Sequence, residues 1–174
     1  MLERGANVNC ALKDSNATPL CLAAQHGSME FCKLLLDKGA DPNVVMKGGI
    51  GAFFLAVQGP SIDVARFFLE SGADINCRME STGATPLIVA VLKNKVEVVE
   101  MLLAKGADVS LHLKGGASLW NCGEELQLSD IMAEKLAQAS TEGKLGEGHK
   151  WTALAVAEMM GYAEVADKIR AAAA

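Results

Sequence analysis

Cysteine and histidine are the residues of this chain most able to support a reaction or to hold a metal ion. The chain has five cysteines and no Cys-x-x-Cys pair: Cys10, Cys21, Cys32, Cys77 and Cys122. Most of them fall in apolar stretches, so we interpret them as reduced thiols packed as small hydrophobic side chains rather than as disulfides or zinc ligands. The three histidines, His26, His112 and His149, lie far apart, and the one cysteine within five residues of any of them is Cys21, five residues before His26. This spacing argues against a metal site.

The glycine-rich run Gly48-Gly49-Ile50-Gly51 superficially resembles a phosphate-binding loop. No strand-loop-lysine pattern surrounds it, so we interpret it as the tip of a hairpin. The chain also lacks a nucleophile beside a base, a pair of tuned carboxylates and a phosphate loop. We therefore expect no catalytic residue, no metal and no cofactor, and we predict that the protein is not an enzyme.

Composition narrows the class of protein and the kind of partner. The chain has 174 residues, of which 51% are hydrophobic and 21% charged, so it can bury a core within one domain. Its net charge is −5 and its pI is near 5.2, which argues against nucleic acid as the main partner because phosphate binding needs a basic face. No apolar stretch approaches the roughly 18 residues of a membrane span, and no secretory signal is apparent. We expect a soluble protein of the cytosol or nucleus, with no membrane insertion.

A short motif recurs along the chain at a nearly constant interval. Glycine followed by alanine and then by asparagine or aspartate occurs at positions 5, 39, 72 and 106, in steps of 34, 33 and 34 residues. A second marker, Thr18-Pro19-Leu20, returns as Thr85-Pro86-Leu87 and Thr152-Ala153-Leu154, and Gly51-Ala52-Phe53 occupies the intervening place. A fixed period of this length predicts a stack of similar structural units.

Each unit has the sequence of two short helices. Thr18 is a good N-cap, and a proline in the first turn loses no hydrogen bond. Gly27 ends this helix, and a second helix over residues 28–38 places Phe31, Leu34 and Leu35 in one predicted buried stripe before Gly39 supplies a left-handed turn. One such unit cannot bury its own apolar face, so it must stack on copies of itself.

The segments TPLCLAAQHG, LLLDKGADPN, TPLIVAVLKN and MLLAKGADVS are similar to the repeat signature of the ankyrin family. The resemblance covers nearly the whole chain and implies an all-α solenoid of stacked helix-turn-helix repeats with β-hairpin loops. It also makes the turn asparagines Asn9, Asn43 and Asn76 candidate substrates of asparaginyl hydroxylases. We favour a turn-stabilising role for these three residues.

The register predicts one ankyrin repeat domain over residues 1–174. It contains a partial repeat (1–9), three full repeats (10–43, 44–76 and 77–110) and a closing repeat (144–174). The interval between Gly106 and Thr152 is one period longer than in a regular array. Residues 111–143 are therefore either a decayed repeat or an insertion loop that carries a helix.

The fold implied by the resemblance binds proteins along a concave side formed by hairpin tips and first-helix ends. We expect Met46 and Met79 to be exposed at their tips, whereas core packing and partner contact are equally open for Met159 and Met160. The predicted partner-binding residues are Lys13, Asp14, Gln25, His26, Met46, Lys47, Gln58, Met79, Glu80, Leu92, Lys93, His112, Met159 and Met160.

The leading functional hypothesis is a non-enzymatic scaffold or adaptor that binds a protein partner on this side. One alternative is a structural subunit of a larger assembly, held through the open N-terminal end or residues 111–143. The other is a regulatory segment of a larger enzyme or channel.

Overall fold

The helices of this protein come in antiparallel pairs, as seen in a computed structural model that describes residues 7–114, 134, 135, 138 and 150–173. The fold is all-α, and the described residues form no strand, only two isolated bridges. Eight helices have defined bounds: α1 (Pro19–His26), α2 (Met29–Asp37), α3 (Ala52–Gln58), α4 (Ile62–Glu70), α5 (Pro86–Leu92), α6 (Val96–Ala104), α7 (Ala153–Met160) and α8 (Ala163–Ala173). The paired helices stack as in ankyrin repeats, which confirms the predicted fold class.

Threonine begins the first helix of three of the four pairs. The hydroxyl oxygen of Thr18 accepts a hydrogen bond from the backbone N–H of Cys21, and Thr85 and Thr152 cap α5 and α7 in the same way. Each hydroxyl satisfies a backbone donor that has no partner within the helix. The threonine caps predicted from the sequence are therefore confirmed.

Glycine ends α1 and α2 at positions that demand a left-handed backbone. Gly27 has φ of 70° and Gly39 has φ of 86°. A β-carbon on Gly27 would also lie 2.9 Å from Pro60 Cγ, so the glycine permits a close approach as well as a turn.

The chain divides into two compact units, Met1–Cys77 (unit 1) and Arg78–Ala174 (unit 2). In unit 1, α1 packs against α2 and α3, while α4 packs against α3 and α2. The buried side chains between these helices are large and apolar, and they include Leu20, Phe54 and Phe68. This burial supplies most of the driving force for stacking.

Asparagine side chains join the closing turns of successive pairs in unit 1. The Asn43 amide donates to the carbonyl oxygen of Gly72 at 3.3 Å, and its oxygen accepts from the backbone N–H of Asp74 at 3.0 Å. Asn9 makes the same two bonds one repeat earlier. Both polar ends of these amides are engaged, which favours the turn-stabilising role.

In unit 2 the closing helix pair packs directly on the pair before it. Helix α7 contacts α5, and α8 contacts α6. The Lys168 ammonium on α8 forms an ion pair with Glu100 on α6, and this hydrogen bond raises the pKa of Lys168. Such exposed pairs add little stability individually.

Residues 112 and 113, which follow α6, pair with residues 151 and 152, which directly precede α7. The backbone N–H of Leu113 donates to the carbonyl oxygen of Trp151 at 3.1 Å, and His112 forms a bridge with Thr152. Most of residues 111–143 lie outside the described residues, so the domain boundaries there stay a prediction.

The predicted buried stripe of α2 is only partly correct. Leu35 is buried, whereas Phe31 and Leu34 are exposed. Helix α2 contacts α1 and α4, and Phe31 faces the flank on which no described helix packs. Leu34 is displaced from Leu35 by about 100° around the helix, which turns it away from the core.

None of the helices in the described ranges is long and apolar enough to cross a membrane.

The Thr18 cap provides a test of the predicted helix start. Thr18→Ala should lower the free energy of unfolding by about 1 kcal/mol, because the buried N–H of Cys21 loses its acceptor. Ser28→Ala is the matched control, since Ser28 precedes α2 without a side-chain capping bond, and it should change stability by less than about 0.5 kcal/mol. Urea unfolding followed by circular dichroism measures both, and equal losses would contradict the cap.

Candidate functional site

Two hairpin tips lie at the same end of unit 1, each closed by backbone hydrogen bonds. In the first tip, the N–H of Leu12 donates to the carbonyl oxygen of Ala17 at 2.9 Å, and Asn16 adopts φ of 57°. In the second, the N–H of Met46 donates to the carbonyl oxygen of Ile50 at 2.8 Å. The glycine run at positions 48–51 therefore lies in a hairpin, as predicted, and not in a phosphate loop.

A single backbone bond connects the two tips. The N–H of Lys47 donates to the carbonyl oxygen of Ser15 at 2.9 Å. Beside this bond the side chains of Lys13, Asp14 and Lys47 are exposed, while that of Met46 is half-buried. The bond fixes the separation of the two tips, so charges of both signs project from a defined frame.

The ends of α1 and α3 lie in the same unit, on helices that pack together. Gln25 and His26 are exposed in the last turn of α1. Gln58 ends α3 and is half-buried. We call Lys13, Asp14, Gln25, His26, Met46, Lys47 and Gln58 the hairpin face of unit 1.

Unit 2 repeats the bond between tips. The N–H of Lys114 donates to the carbonyl oxygen of Thr82 at 2.9 Å, and its ammonium reaches the carbonyl oxygen of Glu80 at 2.5 Å. The Arg78 guanidinium donates to the carbonyl oxygen of His112 at 2.6 Å. Glu80 is exposed and His112 half-buried, so two of the predicted residues flank this second connection.

Lys93 and Met159 occupy half-buried positions elsewhere in unit 2. Burial lowers the pKa of the neighbouring Lys95 ammonium, and the positive charge of Lys93 adds to that effect. Lys93 therefore has a like charge close to it.

Three predicted contact residues are buried, so the exposure expected of Met79 and Leu92 is wrong, while at Met160, where core and contact were weighed as even, the side chain lies in the core. Met79 and Leu92 are each 1% exposed and Met160 is 5% exposed. Met79 lies in a hairpin whose Thr82 and Ala84 are also buried, and every residue of α5, including Leu92, is buried. Met160 fills the interior at the end of α7. Burial of these apolar side chains removes their surface from water, which stabilises the folded chain.

Cys21 and Cys32 agree with the packing interpretation, and Cys10 does not. Cys21 and Cys32 are buried and Cys10 is exposed, all as free thiols. Burial raises the pKa of Cys32 to about 11. Burial, with a contribution from the Asp74 carboxylate, raises that of Cys77 to about 12. Thiols with raised pKa values are poor nucleophiles and poor metal ligands at neutral pH.

The described residues contain no group of three or more His, Cys, Asp or Glu side chains that could hold a metal ion. His26 and His112 lie in different units. Cys122 and His149 lie outside the described residues.

Sequence reasoning missed the acceptors that position the tips. Ser15 and Thr82 both supply a carbonyl oxygen to the following tip, and Arg78 adds a side-chain bond in unit 2. A hydroxyl residue four positions before the first helix occurs in only two of the repeats, as Ser15 and Thr82, and the bonds use backbone atoms, so the sequence carried no consistent signal for them.

A helix pair with a threonine cap, a left-handed glycine turn and a hairpin, repeated every 33 or 34 residues, defines a repeat protein of the helical solenoid class. A family profile described as "Ankyrin repeats (3 copies)" matches residues 20–112, more than half of the chain. The chain belongs to the ankyrin repeat family.

Curated relatives carry the same repeat within longer proteins. An ankyrin repeat protein of Rickettsia felis is 31% identical over 111 residues, which cover 63% of this chain and 36% of that protein. The B-cell lymphoma 3 protein homolog of Mus musculus is 29% identical over 151 residues, which cover 84% of this chain and 34% of the mouse protein. The transient receptor potential cation channel subfamily A member 1 of Homo sapiens is 35% identical over 97 residues, 55% of this chain and 9% of the channel. The chain thus spans about a third or less of these three relatives.

The raised thiol pKa values predict selective alkylation. At pH 8, iodoacetamide should modify Cys10 while Cys77 stays unmodified, because a pKa of about 12 leaves only about one thiolate in ten thousand. The rate at Cys77 should rise about tenfold per pH unit up to its pKa while the protein stays folded. Peptide mass spectrometry measures each site, and the urea-unfolded chain is the control in which both cysteines react. Equal rates at Cys10 and Cys77 in the folded chain would contradict the burial of Cys77.

Proposed function

We propose that the protein is a non-enzymatic interaction module that binds a protein partner through the hairpin face of unit 1. Ankyrin repeats generally bind proteins, and the partner of this chain is the part that the family does not specify. The observation that carries the proposal is the bond from the Lys47 N–H to the Ser15 carbonyl oxygen. It holds two exposed tips at a fixed separation before any partner arrives, which reduces the entropy lost on binding.

The chemistry of this face suits a polypeptide surface. Lys13 and Lys47 are exposed cations on neighbouring tips, with the Asp14 carboxylate beside them. A partner that presents acidic groups opposite the lysines and a basic group opposite Asp14 would match both signs. Half-buried Met46 adds a flexible apolar contact at the second tip. Mixed charge with an apolar element is typical of non-obligate protein interfaces.

Unit 2 offers candidate contacts of the same kind. The described residues that remain from the prediction there are Glu80, Lys93, His112 and Met159. Its tip is connected by the corresponding bond between Lys114 and Thr82, so it provides a second rigid frame. We propose it as an additional contact region and assign the main one to unit 1.

The relatives support the class of function and leave the biological setting open. They include a cation channel, of which this chain matches 9%, and this likeness is the reason to retain a regulatory segment of a larger channel or enzyme as a second proposal. Under either proposal the chain works by binding. We propose the cytosol or nucleus as its location, since its buried free thiols suit a reducing compartment.

Charge reversal at the tips tests the proposed face. The double variant Lys13→Glu with Lys47→Glu should weaken capture of the partner from native extract by at least about tenfold, because both cations lie on the proposed surface. Titration calorimetry with the identified partner then gives the change in Kd.

The matched control for this experiment is Lys38→Glu with Arg66→Glu. It makes the same change in net charge at two exposed positions away from the hairpin tips, since Lys38 directly follows α2 and Arg66 lies on α4. It should change affinity by less than about threefold. Equal weakening by both double variants, or by neither, would show that the partner does not bind the hairpin face.

A further inference from the structure

Two cationic side chains of unit 2 lie against the same glycine in the hairpin tip over residues 79–84. A β-carbon on Gly83 would lie 2.9 Å from Nη2 of Arg78 and 3.0 Å from Cγ of Lys114. The two side chains are therefore neighbours across this glycine. Like charges on neighbouring side chains repel each other, so other groups must hold them there.

Backbone carbonyl oxygens hold both side chains in place. Nε of Arg78 donates to the carbonyl oxygen of Gly83 at 3.2 Å, and Nη2 donates to that of His112 at 2.6 Å. The Lys114 ammonium donates to the carbonyl oxygen of Glu80 at 2.5 Å. Carbonyl oxygens are neutral acceptors, so they orient the two cations without cancelling their charge. Within the described ranges, neither cation forms an ion pair with a carboxylate.

A third cation belongs to the same end of unit 2. The bridge between His112 and Thr152 is antiparallel. Each residue forward on one side of such a bridge is matched by a residue back on the other, so its register places Lys150 opposite Lys114. Like charges at opposed positions destabilise a pairing of this kind. An anion bound beside them would remove that repulsion.

The charge of this region is opposite to that of the whole chain. Arg78, Lys114 and Lys150, which we call the basic tip, are all exposed, whereas the chain carries a net charge of −5. Glu80 lies on the same hairpin, but its carbonyl oxygen, and not its carboxylate, contacts the Lys114 ammonium. A local excess of positive charge on an acidic protein attracts anionic groups to that place.

We propose that the basic tip binds an acidic segment of a polypeptide, with an aspartate or glutamate carboxylate received between Arg78 and Lys114. The guanidinium has N–H groups left over after its two carbonyl bonds, and one carboxylate can accept from two of them at once. This inference rests on the proposed function, to which it adds the chemistry of the partner segment that unit 2 contacts. A nucleic-acid backbone fits less well, because three cations on an acidic chain are too few to neutralise a run of phosphates.

The carbonyl bonds also lower the entropic cost of binding. Arginine and lysine side chains lose much rotamer freedom when they engage a ligand. Arg78 is already fixed by two bonds and Lys114 by one. Part of that loss has therefore taken place before the acidic segment arrives.

Peptide binding to the full chain tests the basic tip. The probe is a fluorescein-labelled peptide of about eight glutamates, and a glutamine peptide of the same length is the reference. In fluorescence anisotropy at low ionic strength, the glutamate peptide should bind at least about tenfold more tightly than the glutamine peptide. Its affinity should fall as salt is added, because the charges involved are exposed.

The variant Lys150→Glu separates the basic tip from the charge of the whole chain. The Lys150 side chain is exposed and makes no bond to a described residue, so the variant should fold. It should weaken glutamate-peptide binding at least about fivefold and raise the urea midpoint slightly, since opposite charges then face each other at Lys114. The matched control is Lys105→Glu, an exposed position directly after α6 and outside the hairpin, which should change affinity by less than about twofold.

A second variant, Arg78→Gln, removes the guanidinium itself. It should weaken glutamate-peptide binding at least about tenfold. Because the variant also loses two carbonyl bonds, its urea midpoint is measured alongside. Binding is then compared at a temperature where circular dichroism shows both chains to be folded.

Three results would overturn the inference. The glutamate and glutamine peptides could bind equally, or Lys150→Glu and Lys105→Glu could weaken binding equally. Inorganic phosphate could displace the labelled peptide at a lower concentration than unlabelled glutamate peptide does, in which case the tip is a phosphate site.

The two proposals can fail separately. If capture of the native partner does not depend on Lys13 and Lys47 while the glutamate peptide still binds, the hairpin face is wrong and the basic tip stands. If that capture does depend on them and the peptide does not bind, the basic tip is wrong and the hairpin face stands.

Discussion

The burial of one apolar helix flank by a neighbouring helix pair is the interaction on which the rest of this structure depends. Each pair is too small to enclose its own leucine, valine and phenylalanine side chains, so α3 and α4 need α1 and α2, and α7 and α8 need α5 and α6. The asparagine amides and the backbone bonds between tips connect helix pairs that this burial has already brought together. They set the register of the stack and contribute less to its stability.

The sequence was sufficient to predict those features that local chemistry determines. Thr18, Thr85 and Thr152 cap helices because their hydroxyl oxygens accept a hydrogen bond from a backbone N–H of the first turn. Gly27 and Gly39 end helices because other residues are strained in the left-handed conformation found there. The period between such residues was enough to identify the family. The positions of the hairpin tips follow from the same register, which is why Lys13, Asp14 and Lys47 were expected on the surface and are found there.

Exposure of individual apolar side chains could not be predicted in this way. Met79 and Leu92 have positions in the register that would suit contact with a partner, yet both are buried, because the depth of a side chain depends on the packing around it. Phe31 shows the opposite error, since its helical spacing indicates burial but its flank has no described neighbour. The repeat period and the helical spacing indicate which residues lie on the same face of a helix. Only the packed structure shows whether another element covers that face.

In unit 2 the side chains of Arg78 and Lys114 add to the backbone bond between the tips, but in unit 1 the connection is made by backbone atoms alone, from Lys47 to Ser15. The side chains of these residues are therefore not needed to keep the tips at their separation. Mutation can replace a lysine by a glutamate at such a place without altering the frame that presents it. Substitutions at the tips can therefore change which partner is bound without changing the fold. Duplicated copies of this gene can diverge toward new partners while they still fold in the same way.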